Sequence, residues 1–179
     1  MHRIAPLTLL ALAAIACAPA PDPSAAGAPA PDAAIARLLG EGIEHAHQRL
    51  DAKYAFQPYA LVLHQGGAIE QLGGHSGDEL DKQNPDRLFR DPTKVLADLQ
   101  QQVAKEVKTG NDVVAVGFFS DVYIKLPNGS DSRAIQADLE GAAGGCETVY
   151  EPYGWVDVDS LAFGAQIKAR RKGTIFPCP

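Results

Sequence analysis

The stretch LHQGGAIEQLGGHSGDELD, residues 63–81, gathers the side chains best suited to chemistry: His64, Glu70, His75, Asp78, Glu79 and Asp81, with the hydroxyl of Ser76 among them. A histidine beside a carboxylate is what a general base requires, and the same donors suit a divalent metal ion. His64, Glu70, His75 and Asp78 therefore form the candidate polar site. Their spacing matches neither HExxH nor GxSxG, and no glycine-rich phosphate loop is present. Glycine, aspartate and serine at this density make a solvated hairpin and loop the plainer reading. No catalytic residue, metal or cofactor is assigned.

Two further histidines stand in EHAH, Glu44 to His47. On a helix, residues two apart are rotated by about 200°, so His45 and His47 cannot share an ion and read as exposed helix positions. YEPYGW places Tyr150, Tyr153 and Trp155 beside turn residues. Amphipathic rings of this kind are enriched in contact surfaces, which makes these three the candidate interface, although they equally suit one end of a core. In GFFSDVY, the adjacent Phe118 and Phe119 must face opposite sides of a strand, so one of them is expected outside the main core.

The elements that position these residues are legible from periodicity. Ile35, Leu39, Ile43, Ala46 and Leu50 make one apolar stripe, predicting a helix from about Ala33 to Leu50 capped by Asp32. Gly40 and Gly42 weaken it, each by about 1 kcal/mol relative to alanine. YALVLH, then Gly66-Gly67, then AIEQL predicts a hairpin. A polar stretch from Gly73 to Arg90 is the longest loop. Asp91 then caps a second helix with Pro92 at its first position, Val95, Leu96, Leu99, Val103 and Val107 on one face, and Gly110 at its end.

A strand follows from Val113 to Phe119, extending to about Leu126, and PNGS at 127–130 marks a turn. Ile135, Ala137 and Leu139 alternate with Gln136, Asp138 and Glu140, predicting a strand with one wet face. Gly144-Gly145 leads into CETVYEPY, and an extended piece runs through Val156, Val158 and Leu161. The expected fold class is α+β: two helices on an antiparallel sheet of about five strands, in the order α-ββ-α-βββ. This element order resembles roadblock, longin and profilin-like domains, and a resemblance of fold implies no chemistry.

The 16 basic and 22 acidic residues give a net charge of −6, or −7 once residues 1–16, with Arg3, are set aside. An acidic domain repels phosphate backbones, so nucleic acid is not an expected partner. The one basic cluster, KARRK at 168–172, reads as a solvated strand or turn.

At the amino terminus, Arg3, an apolar run from Ile4 to Ile15 and small residues before Cys17 have the form of an export signal. The run is too short for a membrane-spanning helix, which needs about 20 residues. Ala14-Ile15-Ala16-Cys17 resembles the lipobox of bacterial lipoproteins, with alanine where that family prefers leucine. The resemblance implies cleavage before Cys17 and a diacylglyceryl thioether with an acylated amine on it. Ala18 stands where an inner-membrane retention aspartate would, which favours the outer membrane. Ordinary signal cleavage would instead leave a soluble exported protein.

From residue 18 to 31 the chain is alanine, proline, serine, glycine and aspartate, a spacer that reaches roughly 40 Å if extended. The expected organisation is a signal at 1–16, a lipidated linker at 17–31 and one domain at 32–179. Cys146 and Cys178 remain as a pair, and in an oxidising compartment a disulfide follows. The expected function is a membrane-anchored envelope module, its domain in the periplasm, that binds another envelope protein or itself. The alternative is a small periplasmic enzyme or metal-binding protein built on His64, Glu70, His75 and Asp78.

Overall fold

A computed structural model of the chain describes residues 31–51, 56–74, 91–110, 112–158 and 160–178. Cys17, the linker as far as residue 30, His75 and Asp78 lie outside them, as does most of the polar stretch ending at Arg90. Helix α1 (Pro31–Asp51) leads to strands β1 (Tyr59–His64) and β2 (Ile69–Gly73). Helix α2 (Pro92–Lys108) follows, then β3 (Val113–Lys125), β4 (Asp131–Gly141), β5 (Cys146–Trp155), β6 (Leu161–Phe163) and β7 (Ile167–Arg170). Both helices and the β1–β2 hairpin fall where the periodicity puts them. Asp91 accepts a hydrogen bond from the Thr93 backbone and so caps α2, with Pro92 just inside. Among the described residues, no helix is long and apolar enough to cross a membrane.

The sheet is antiparallel, in the order β2-β1-β3-β4-β5, with β6 and β7 both pairing with the outer edge of β5. It therefore has seven strands rather than about five. The two extra strands, LAF and IKAR, are three and four residues long, too short to show an alternating pattern. They form because β5 is ten residues long and offers each a separate half of its edge.

Each helix covers one face. Under α1 lie Leu61, Leu63, Phe119, Ile135, Leu139 and Val149, and under α2 lie Ala60, Val62, Val116 and Phe118. Phe118 and Phe119 face opposite sides, as adjacent strand residues must: Phe119 lies in the α1-side core, and Phe118 lies outside it, buried in the α2-side cluster rather than exposed. The second face has its own core, closed by Ile175 and Phe176 from the carboxy terminus.

That carboxy-terminal segment also overturns the reading of β4. Of its expected wet face, Asp138 and Glu140 are covered by residues 171–176 and buried, Glu140 fully, while Gln136 is half-buried. Glu140 accepts from the backbone amide and hydroxyl of Thr174 (2.8 Å each) and from the amides of Ile175 (2.7 Å) and Phe176 (3.0 Å). Arg171 adds its guanidinium to Glu140 and Asp138, at 3.5 and 3.3 Å. One residue of KARRK is thus held against the sheet rather than solvated. The Cys146–Cys178 disulfide, its Cα atoms 5.8 Å apart, fastens the end of the segment. Gly173 is required here, since a Cβ would fall 1.8 Å from the Phe176 carbonyl oxygen.

Burial alone raises the pKa of Glu140. The hydrogen bonds from Phe176, Thr174 and Ile175 outweigh it and hold the carboxyl below its ordinary 4.5. A lowered folded-state pKa contributes stability above the ordinary value and loses it as acid titrates the folded carboxylate. Glu140→Gln is expected to cost roughly 2–3 kcal/mol at neutral pH, the scale of hydrogen bonds to a charged group. In thermal melts, its deficit relative to wild type should narrow below pH 4.5.

On the other face, Gly42 lets α1 approach the sheet: a Cβ there would sit 1.9 Å from the Phe119 ring. Phe119 is stacked on Tyr59 at 5.0 Å, and the Tyr59 hydroxyl donates to the Gly42 carbonyl at 2.5 Å. Gly42→Ala should therefore lose roughly 1–2 kcal/mol to overpacking despite the better helix propensity. Gly40→Ala, whose Cβ meets nothing within 4 Å, should gain about 0.5–1 kcal/mol. Equal effects on melting temperature would refute this account of the helix seat.

Candidate functional site

Of the sequence-predicted polar set, the hairpin brings two members together. The β1–β2 register pairs Leu63 with Ile69, so His64 and Glu70 flank the turn, with Nε2 and Oε2 3.4 Å apart. Asp112, just before β3, reaches the other ring nitrogen at 3.0 Å. A register shift between Leu63 and His64 against β3 brings the ring to it. The result is an imidazole bracketed by two carboxylates, one within reach of each ring nitrogen. Glu70 and Asp112 are each more than half exposed, however, and exposed ion pairs contribute about 0–1 kcal/mol. Among the described residues, no three histidine, cysteine or acidic side chains are grouped to hold a metal ion.

A concave surface forms elsewhere, between α1 and the β5–β7 edge. It encloses about 670 Å³ and is lined by Ile35, Leu39, Gly40 and Ile43 from the helix and by Cys146 and Glu147 from β5. Gln166, Lys168 and Arg170 form the opposite rim. The stripe that seats α1 supplies the apolar wall, because Leu39 turns only partly toward the sheet. Lys168 pairs with Val149 and Arg170 with Glu147, which places both cations on the α1 side of the sheet. Lys168 is bridged to Glu147 at 3.3 Å.

One end of this groove is closed by a pair that sequence reasoning misses. His47 Nε2 meets Glu151 Oε2 at 2.5 Å, and Gln166 donates to the other oxygen of Glu151 at 3.2 Å. The His47 ring stacks on Phe163 with centroids 3.8 Å apart. His47 is therefore not a freely exposed helix residue, and His45, across the helix, turns toward Tyr59 instead. The 104 residues between His47 and Glu151 leave no local signal from which the pair could be read.

Beyond the end of α1, the register lines up Tyr123, Arg133, Tyr153 and Phe163 in one transverse row across β3 to β6. Arg133 is paired with Asp121 and lies over the rings of Tyr123 and Tyr153. The Tyr153 hydroxyl donates to Asp121 at 2.8 Å. Burial first, and then Asp121, pushes the Tyr153 phenol well above its ordinary value. Of the three interface candidates, Tyr153 is in the core at 5% exposure, Tyr150 is half-buried, and Trp155 is the open one at 47%. Trp155 shares this end of the molecule with exposed Tyr123, Val156 and Val158.

A double-mutant cycle with His47→Ala and Glu151→Gln is expected to show a coupling of about 1 kcal/mol in denaturant melts. Additive effects would mean that the pair does not hold α1 to β5. No protein-family model, no curated protein and no solved structure matches the chain, so the reading of the site rests on its own residues.

Proposed function

We propose that the protein is a lipid-anchored binding module of the bacterial cell envelope. Its anchor is Cys17, its membrane the outer one, and its recognition surface the groove between α1 and the β5–β7 edge. The observation that carries the binding role is the groove itself: about 670 Å³, within the range of small-molecule sites, with an aliphatic wall and a few polar groups on one rim. Support for the anchor comes from the apolar run ending in Ala14-Ile15-Ala16-Cys17 and the proline-rich spacer after it. A disulfide between Cys146 and Cys178 is in keeping with an oxidising compartment. Multiple acyl chains, each buried methylene contributing about 0.8 kcal/mol, hold a protein at a membrane where a single chain is marginal.

Two measurements test this reading. Cys17→Ser should lose the acyl mass seen in intact-protein mass spectra and move the protein from the membrane to the soluble fraction. Continued membrane association would remove the anchor. For the groove, Nile red, a neutral dye that brightens in apolar surroundings, should fluoresce with the purified full chain. Gly40→Trp, which projects from the helix wall into open space, should sharply reduce that signal without lowering the melting temperature. Undiminished dye binding by this variant would remove the groove as the recognition surface.

A further inference from the structure

We propose that the groove takes a straight-chain aliphatic carboxylate, its headgroup on Arg170 and its chain along the Ile35–Leu39–Ile43 wall. The proposal rests on the groove being the recognition surface and goes further by naming what fills it.

Charge is the first argument. The chain is acidic overall, yet this rim carries Lys168 and Arg170 against the single acid Glu147, a local excess of one positive charge. Lys168 is already engaged by Glu147, whereas Arg170 is exposed and has no hydrogen-bond or ion-pair partner among the described residues. A guanidinium presents a planar fork of donors that matches the two oxygens of a carboxylate.

Shape is the second argument. Ile35 packs against Gly145 at one end of β5 and His47 meets Glu151 towards the other, so the helix runs alongside β5. Arg170, opposite Glu147, therefore stands at the Ile35 end, and Gln166 at the closed end. The wall from Ile35 to Ile43 spans eight residues, about 12 Å at the helical rise, in a straight line. Leu39 is its half-exposed centre and Ile35 and Ile43 show only their edges, so the wall offers dispersion contacts to a thin extended alkyl chain and no donors or acceptors to a peptide backbone.

The test is calorimetric titration of the full chain with dodecanoate below its micellar concentration, alongside dodecyltrimethylammonium and dodecanol. Dodecanoate should bind tightest and displace Nile red. Arg170→Gln should weaken dodecanoate roughly tenfold while leaving dodecanol unchanged, the loss expected for one charge-assisted contact. Gly40→Trp should abolish binding of dodecanoate. Equal affinity for dodecyltrimethylammonium, or an unchanged Arg170→Gln variant, would overturn the proposal. Nile red binding that is sensitive to Gly40→Trp, without dodecanoate binding, would overturn this assignment and leave the groove standing. If neither probe bound, both would fall.

Discussion

The buried carboxylate of Glu140 is the contact on which most of this architecture depends. A strand with Gln136, Asp138 and Glu140 on one side would ordinarily turn that side to water. Here the chain returns and covers it, and a buried charge is tolerable only because four donors and a guanidinium meet it. Three consecutive amides converging on one side chain fix the path of residues 174–176. That path places Phe176 in the α2-side core, and the disulfide to Cys146 holds its end. The strand immediately before it, β7, is thereby held to the edge of β5. The rim of the groove is a consequence of how the tail is fastened.

The opposite face is governed by steric fit. Gly42 brings α1 down onto Phe119, and the stacked Tyr59 ring returns a hydrogen bond to the helix carbonyl. This contact fixes the height of the helix over the sheet. Towards its start, the helix looks across at a strand edge bearing lysine and arginine, and the gap between them is the groove. Further along, His47, Glu151 and Gln166 close that gap. The same apolar stripe thus anchors the helix and furnishes an aliphatic wall.

Legibility from sequence followed the range of the interaction. The cap of α2, its proline and its stripe involve neighbours within a turn, and they were readable at near-residue accuracy. The hairpin that brings His64 to Glu70 was readable because glycine turns are local. Asp112 was not, since it comes from the residue before β3, 48 positions from His64, and neither was the His47–Glu151 pair. The glycines misled in a more instructive way. As helix residues, Gly40 and Gly42 count equally against α1, yet one borders open space while the other is where the helix touches the sheet.

By itself, the sequence determined the types of the longer elements, the turns at 66–67, 127–130 and 144–145, the pairing partners among the cysteines and the acidic balance of the domain. Each of these follows from residues close together in the chain or from a simple count. Tertiary structure alone decided which polar residues are buried, which cations share a surface and where a concavity exists. Alternation along β4 marks a polar face, but whether water or protein covers it depends on a segment more than thirty residues later. Burial and convergence are properties of non-local packing, and a hydrophobic pattern carries no record of what folds back over it.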